Sequence, residues 1–257
     1  AALIVLTGLF VSGCASQSAS RQPVPGDPLE PVNRGVFAFN DFTDTYLLRP
    51  VASGYAWLFP QFMRTGVNNF FENLAAPVDI LNAFLQAKPR QGFSDAARMG
   101  LNTTVGIGGL FDPATTAGLA LHDEDFGQTL GVWGVPEGPY LVIPFFGPRT
   151  ARSGGGQLVD LQYHPQLQFR GSIRSRLNVL WIIHQRSRLL AVDEQIQRAF
   201  DPYAFVRDAY LQNRRFLRYD GMPPEEAFPE EDFDDEFEDA ANARIDESRQ
   251  AAAQMTR

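Results

Sequence analysis

The stretch that decides the fold class is GVNNFFENLAAPVDILNAFLQ, residues 66–86. Its apolar residues recur three or four positions apart, which is the spacing of one face of an α-helix. Between residues 66 and 74 that face carries Val67, Phe70, Phe71 and Leu74, and the opposite face carries Asn68, Asn69, Glu72 and Asn73. Proline suits the first turn of a helix because its missing N–H has no helical partner there. Pro77 therefore predicts the start of a second short helix, which extends to Gln86.

The same amphipathic pattern occurs on both sides of this stretch. An apolar stripe with helical spacing runs from Val36 to Tyr46, and the Arg49-Pro50 pair predicts a break after it, because the residue before proline disfavours helical angles. The longest amphipathic segment covers residues 173–192. Asp201-Pro202 then predicts the start of a last helix, with aspartate as the N-cap, that ends near Gly221. The chain is therefore predicted to be mainly α-helical.

The middle of the chain has a different character. TLGVWGV, residues 129–135, and YLVIPFF, residues 140–146, are apolar runs that flank a turn rich in proline and glycine. Two such runs predict a β-hairpin from Gly131 to Gly147, in which Pro144 confines the second strand to an edge. Residues 152–156 contain three glycines and are predicted to form a flexible turn.

The N-terminus has the pattern of a bacterial lipoprotein signal. Residues 1–13 are small and apolar and lead directly into Cys14, the single cysteine of the chain. Such a segment is too short to cross a bilayer, which takes roughly 20 residues, but has the length of a signal-peptide apolar region. We expect residues 1–13 to be removed and a lipid to be attached to Cys14. The alternative is an ordinary buried helix with a core cysteine.

Charge and composition divide the rest of the chain. Residues 14–28 are rich in Ser, Pro and Gly and are predicted to form a flexible spacer. The net charge of -8 is concentrated at the C-terminus, where residues 220–257 hold 13 acidic and 3 basic residues. We therefore predict one helical domain over residues 29–221 and a disordered acidic tail over residues 222–257.

Residue constellations typical of enzymes are missing from the sequence. The three histidines, His122, His164 and His184, are too far apart in the chain for a typical zinc motif. The sequence contains no G-x-S-x-G elbow, and no Gly-Lys-Ser/Thr follows the glycines at residues 106–109. We expect no catalytic activity, no metal and no cofactor other than the covalent lipid on Cys14.

Six segments together resemble one family. They are DPLEPVNRGVFAFND (27–41), LLRPVA (47–52), the opening stretch (66–86), LNTTVGIGGLFDPA (101–114), residues 125–160 and FDPYAFVRDAYLQ (200–212). In this order they resemble the MlaA family of outer-membrane lipoproteins, also called VacJ. The resemblance covers roughly residues 27–219, and neither the spacer nor the acidic tail contributes to it.

The resemblance implies an architecture, a function and partners. MlaA-like proteins are mainly α-helical rings in the periplasmic leaflet of the outer membrane. They pass mislocalised phospholipids from the outer leaflet through an amphipathic channel to a soluble periplasmic carrier, and they associate with trimeric porins. On this basis Asn40, Asn68, Asn69 and Asn73 are candidate channel-lining residues. Gly131, Gly134 and Gly138 are candidates for a flexible hairpin that gates the channel.

Other interpretations of the same residues stay open at this point. The apolar helix faces also suit an ordinary soluble core, the asparagines suit helix caps, and the hairpin suits a purely structural role. At the level of function, the alternative is an envelope scaffold lipoprotein that organises porins without moving lipid. A lipid-modifying hydrolase is disfavoured because the sequence offers no catalytic constellation.

Overall fold

The computed structural model describes residues 27–224, of which residues 27–218 form one compact unit and residues 219–224 belong to a second. The predicted signal peptide, Cys14, most of the spacer and the tail from residue 225 onward lie outside the described residues. The first unit is mainly α-helical with one two-stranded antiparallel sheet, which confirms the predicted fold class. Residues 219–221 of the second unit form a turn.

The elements of the first unit follow one another with short connections. The N-terminal half contains α1 (Glu30–Thr43), a π-helical turn (Asp44–Leu48), α2 (Arg49–Leu58), α3 (Gln61–Leu85), α4 (Pro89–Thr104), α5 (Pro113–Thr116) and α6 (Phe126–Val132). The C-terminal half contains β1 (Tyr140–Ile143), β2 (Gly147–Thr150), α7 (Ala151–Tyr163), α8 (Pro165–Gln168), α9 (Ser172–Leu189), α10 (Asp193–Arg198) and α11 (Pro202–Arg218). Asp201 caps α11 as predicted, because its carboxylate accepts a hydrogen bond from the Ala204 N–H at 3.2 Å.

Two prolines that were predicted to interrupt helices do not. Pro77 lies inside the continuous helix α3, so the prediction of two helices over residues 66–86 was wrong. Residues before and after it contact the same neighbour, α4: the Asn73 amide donates to the Thr103 hydroxyl at 2.9 Å, and the Phe84 ring lies against Gly92. These contacts hold the two halves of α3 in line despite the lost backbone hydrogen bond. At Pro50 the helical path also continues, because the wider π-helical turn precedes α2.

The hairpin is shorter than predicted and is displaced toward the C-terminus. β1 and β2 pair from Tyr140–Thr150 to Ile143–Gly147, so the turn lies at residues 144–146. The predicted first strand is instead the helix α6, which begins where the Asp125 carboxylate accepts a hydrogen bond from the Gln128 N–H at 2.7 Å. A helix N-cap thus overrides the β-favouring composition of residues 129–135. Gly131 lies in α6, and Gly134 and Gly138 lie in the connection to β1.

The predicted flexible turn at residues 152–156 is also helical, as the first part of α7. Thr150 and Ser153 form a capping box that starts this helix. The glycines allow α7 to approach α6 closely: a Cβ on Gly156 would lie 2.3 Å from the backbone nitrogen of Gly127. The glycine-rich sequence therefore serves helix packing at this position.

Alanine substitutions at two neighbouring glycines test this packing. Gly156→Ala is expected to lower the free energy of unfolding by about 2 kcal/mol or more, since the backbone of α6 must move away. Gly155→Ala meets nothing within 4 Å and is expected to stabilise α7 by about 0.5–1 kcal/mol through its helix propensity. Thermal unfolding of both variants in detergent measures the difference. Equal effects at the two positions would contradict the close packing.

The distribution of polar and apolar residues is inverted relative to a soluble globule. Among the described residues, 8 hydrophobic side chains are buried, against 19 polar or charged ones. Large apolar side chains are exposed along α1, α2, the start of α3 and the hairpin turn; examples are Phe42, Tyr46, Trp57, Phe62 and Phe145. No helix between residues 27 and 224 combines the length and hydropathy that crossing a bilayer requires. Exposed apolar surface on this scale marks an interaction surface for membrane or protein.

Candidate functional site

Two large cavities lie on either side of the hairpin. Cavity A has a volume of about 600 Å³ and is bounded by α1, the π-helical turn, the hairpin, α9, α10 and the start of α11. Cavity B has a volume of about 770 Å³ and is bounded by α3, the segment before α6, the hairpin turn, α7, α8, α9 and α11. Both volumes fall in the range of pockets that hold organic ligands.

Phe146 is the residue that the two cavities share. It lies in the hairpin turn, is 65% exposed and contributes to the walls of both cavity A and cavity B. Its neighbour Phe145 lines cavity A alone, where its ring meets the Phe39 ring edge to face at 5.2 Å. Phe146 therefore marks the place where the walls of the two cavities meet.

Two asparagines of α1 hold the hairpin in place. Asn40 donates to the Ile143 carbonyl at 3.1 Å and accepts from the Phe145 N–H at 2.8 Å. Asn33, two turns earlier on the same helix face, donates to the Tyr140 carbonyl at 3.0 Å and accepts from the Val142 N–H at 2.9 Å. The side chains of Asn33 and Asn40 thus bond to backbone groups of β1 and the hairpin turn, as a neighbouring strand would. We call this set of four hydrogen bonds the α1 clamp.

Asp27, which the sequence analysis assigned to the spacer, contacts Asn33 of the α1 clamp. Asp27 is buried and accepts a hydrogen bond from the Asn33 amide at 2.9 Å and another from the Tyr203 hydroxyl. Burial and the adjacent Asp27 carboxylate raise the pKa of Tyr203 above its ordinary value, so this phenol stays protonated and donates. The start of the described chain is thereby tied to α11 and the base of the hairpin.

A network of four charges forms one end of cavity A. Arg186 of α9 donates to Asp44 of the π-helical turn at 2.8 Å and to Asp193 of α10 at 2.7 Å. Arg49 lies 3.6 Å from Asp44 and 3.4 Å from Asp193. The hydrogen bonds that Arg186 donates to Asp44 outweigh burial and raise the pKa of Arg186, so its guanidinium stays charged. This network fixes the π-helical turn against α9 and α10, and its four charges neutralise one another beside the apolar side chains of the cavity wall.

Cavity B has a more acidic wall. Asp125 pairs with the buried Arg214 of α11, whose Nη2 lies 3.0 Å from Oδ1 of Asp125. Asp160 accepts from the Phe126 N–H at 2.9 Å and from the Asn82 amide at 3.0 Å. Asp79 has a weaker partner, the Glu124 N–H at 3.4 Å. Burial, together with the negative charge of Asp123, raises the pKa of Asp79 to about 8.

The raised pKa of Asp79 predicts a pH dependence of stability. At neutral pH the folded protein keeps a proton on Asp79 that the unfolded chain, with an ordinary pKa of 3.8, has released. The free energy of unfolding should therefore fall as the pH rises from about 4 to about 8, by a few kcal/mol. Asp79→Asn is expected to reduce this slope, to which the raised pKa values of Asp95, Asp123 and Asp160 also contribute, whereas Asp41→Asn, at an exposed carboxylate, should leave it unchanged. Urea unfolding of both variants at pH 5 and pH 8 provides the measurement, and an unchanged slope in Asp79→Asn would contradict the prediction.

The four candidate channel-lining asparagines do not lie together. Asn40 lines cavity A. Asn69 and Asn73 lie beside a small cavity of about 20 Å³, which has room for about one water molecule. Asn68 is not in the wall of that cavity; its amide donates to Glu72 at 2.7 Å and its oxygen accepts from Arg188 of α9 at 2.7 Å. Polar side chains of α3 therefore reach α4, through Asn73, and α9, through Asn68, which a single amphipathic stripe does not reveal.

The glycines predicted to gate the channel lie outside the hairpin. Gly131 packs in α6, where a Cβ would lie 3.1 Å from the guanidinium carbon of Arg152. Gly134 and Gly138 adopt positive φ angles of 89° and 70° in the connection. Sequence reasoning missed Phe146, Asn33 and Asp79. The i, i+7 spacing of Asn33 and Asn40 was a usable signal for the clamp, whereas nothing in the sequence marked the other two.

Comparison with known proteins decides the family. The sequence profile described as MlaA lipoprotein matches residues 25–217, which include every helix and strand of the first unit except the end of α11. The chain belongs to the MlaA lipoprotein family.

Characterised MlaA-family members are similar over most of their length. The intermembrane phospholipid transport system lipoprotein MlaA of Escherichia coli K12 is 38% identical over 230 residues, which are 88% of this chain and 91% of the relative. The lipoprotein of the same name from Haemophilus influenzae is 31% identical over 88% of this chain and 94% of the relative. Both are named as transport lipoproteins and not as enzymes.

A solved structure of similar fold supports the same assignment. It was reported as the structural basis for maintenance of bacterial outer membrane lipid asymmetry, and it matches with a TM-score of 0.68 and 38% sequence identity. The match covers 75% of this chain and 98% of the solved chain. Within residues 27–224 no three His, Cys, Asp or Glu side chains form a group that could hold a metal ion.

Proposed function

We propose that this chain is the outer-membrane lipoprotein of a retrograde phospholipid transport system that maintains lipid asymmetry. It removes mislocalised phospholipids from the outer leaflet and passes them through an amphipathic channel to a periplasmic carrier protein. The observation that carries this proposal is the pair of cavities that meet at Phe146 inside a molecule with an apolar exterior. The names of its MlaA-family relatives support the same substrate class.

The exterior supports a position within the periplasmic leaflet. The exposed aromatic side chains of α1, α2 and the hairpin would contact acyl chains, and 19 polar or charged side chains are buried inside the fold. Helices that are too short or too polar to cross the bilayer suffice for this position, because only one leaflet has to be traversed. The lipid on Cys14 would direct the chain to the outer membrane and hold it there during insertion.

The two cavities form the proposed lipid route, and the hairpin turn divides it. Cavity A offers apolar side chains for acyl chains, while the charges at its end are paired with one another. Cavity B offers the protonated Asp79 and the ion pair of Asp125 and Arg214 in its wall, and such polar groups suit a lipid headgroup. A lipid passing between the cavities would have to displace Phe146. We therefore propose the residues 144–146, and not the three glycines, as the gate, with Asn40 as its anchor in the channel wall.

Two protein partners complete the proposal. A trimeric outer-membrane porin would hold the lipoprotein upright in the leaflet, and the soluble carrier would receive lipid at the periplasmic end. The exposed aromatic side chains of α1, α2 and the start of α3 offer apolar surface for contact with lipid and with a porin barrel.

Deletion of the gene in its own organism provides the test. We expect more phospholipid at the cell surface, measured as lipid hydrolysed by added phospholipase, together with greater sensitivity to detergent. Expression of the full chain should reverse both changes. A chain with Cys14→Ala should be mislocalised and should reverse neither. An unchanged surface phospholipid content in the deletion strain, with porin organisation disturbed, would overturn transport in favour of a scaffold that organises porins.

A further inference from the structure

A cluster of basic and polar side chains lies where α2, α3 and α9 meet, outside both cavities. His184 of α9 is 3% exposed; its Nδ1 lies 3.3 Å from the Tyr55 hydroxyl, and its Nε2 lies 3.5 Å from Oδ1 of Asn68. Arg188, one turn later in α9, donates to the same Asn68 oxygen at 2.7 Å. Arg64 precedes Asn68 by one turn of α3 and therefore lies on the same helix face. Three helices thus bring two guanidinium groups to one place.

Arg64 is partly exposed, but its Nε is buried, and it differs from the other arginines of residues 27–224 that have a buried guanidinium nitrogen without a partner. Six arginines in this range have a buried guanidinium nitrogen without a hydrogen-bond partner: Arg49, Arg64, Arg152, Arg186, Arg207 and Arg214. Five of them also form an ion pair with an aspartate or glutamate. Within the described part of the chain, Arg64 forms none. A buried donor without a partner is costly, so the position favours binding of an external acceptor.

The electrostatics of the cluster favour an anion. Burial lowers the pKa of His184, and the positive charges of Arg188 and Arg64 lower it further, so the imidazole is neutral and the guanidinium groups carry the charge. The nearest carboxylate in the hydrogen-bond chain is Glu72, which is already bonded to the Asn68 amide at 2.7 Å. An anion placed between Arg64 and Arg188 would meet two guanidinium groups whose planar forks match phosphate oxygens.

The surroundings of the cluster indicate where such an anion would come from. Trp57, near the end of α2, and Phe62, at the start of α3, are 87% and 75% exposed and lie within a few residues of Tyr55 and Arg64 in the chain. Tryptophan beside basic residues is typical of the membrane–water interface, where phosphate groups of lipids are found. We propose that Arg64 and Arg188 form a binding site for a phosphate ester on the outer surface, separate from the transport route. A phospholipid headgroup is the expected source of the phosphate, and free phosphate has the same chemistry.

The test uses the purified full-length protein in neutral detergent micelles. One arm adds phosphatidylglycerol and counts bound lipids by native mass spectrometry; the other titrates inorganic phosphate by calorimetry. Arg64→Gln/Arg188→Gln is expected to lose one bound lipid, with at least about a tenfold weaker affinity, because two charge-assisted contacts are removed. Saturable binding of inorganic phosphate with the affinity of the lipid, and its loss in the same variant, would identify free phosphate as the ligand.

The matched control is Arg174→Gln/Arg176→Gln, which makes the same charge change at two exposed arginines of the same helix. Equal lipid loss in this control, or full lipid binding by the cluster variant, would overturn the proposal. The single variants Arg188→Gln, at an exposed side chain, and Arg64→Lys keep the test valid if the double variant fails to fold. Because neither arginine lines cavity A or B, a negative result here leaves the transport route untouched.

Discussion

Replacing Phe146 with glutamate is expected to abolish lipid passage while the protein stays folded. Phe146 is exposed in the hairpin turn and contributes to the walls of both cavities, so a carboxylate there would stand at the point where acyl chains must cross. Burying an unpaired charge against hydrocarbon costs several kcal/mol, and about 3 kcal/mol already reduces a rate more than a hundredfold. The fold should tolerate the change because the Asn40 side chain holds the hairpin through the Ile143 carbonyl and the Phe145 N–H, and not through the Phe146 side chain.

The measurement is surface phospholipid in a deletion strain that expresses each variant. Phe146→Glu should leave the level as high as in the deletion strain itself. Phe200→Glu is the control, because Phe200 is fully exposed and lies in neither cavity wall. Normal surface phospholipid with Phe146→Glu, at wild-type protein levels, would show that lipid does not pass the hairpin turn.

The sequence predicted the class of fold because helical periodicity is local. Residues 173–192 and the Asp201-Pro202 start were predicted correctly, since spacing and capping act within a few residues. Pro77 was misjudged because contacts to α4 on both of its sides decide whether the helix continues. Residues 129–135 were misjudged because the Asp125 cap and the close glycine contact to α7 prevail over β propensity.

The candidate site was harder to predict, because its residues contact partners that are far away in the sequence. Asn40 was predicted to line a channel, and the structure places it in the wall of cavity A; its partner, the backbone of the hairpin turn, lies 103 residues away in sequence. Asn69 and Asn73 share the same amphipathic pattern and yet lie beside a much smaller cavity. Because α3 packs against different neighbours on different faces, its polar residues make different contacts: Asn73 bonds to α4, and Asn68 bonds to α9. Periodicity alone does not separate them.

The buried pair of Arg214 and Asp125 is expected to have the largest effect on stability. Arg214 of α11 is almost fully buried, and Asp125 both pairs with it and caps α6. Arg214→Met should lower the free energy of unfolding by about 3 kcal/mol, since it leaves the half-buried carboxylate without its counter-charge. Chemical unfolding in detergent, followed by circular dichroism, measures the loss. Arg198→Met, which breaks the exposed pair with Glu194, should change stability by less than about 1 kcal/mol.

A second substitution separates the charge from the packing. Asp125→Asn keeps an oxygen that can cap α6 but removes the negative charge. If the cost of Arg214→Met comes from the stranded carboxylate, the double variant Arg214→Met/Asp125→Asn should recover a large part of the lost stability. If the guanidinium acts mainly by filling space beside α6, the double variant should be at least as unstable as Arg214→Met. In the first case Arg214 and Asp125 act mainly by neutralising each other in the wall of cavity B. The fold then tolerates uncharged residues at these positions as long as both are replaced together.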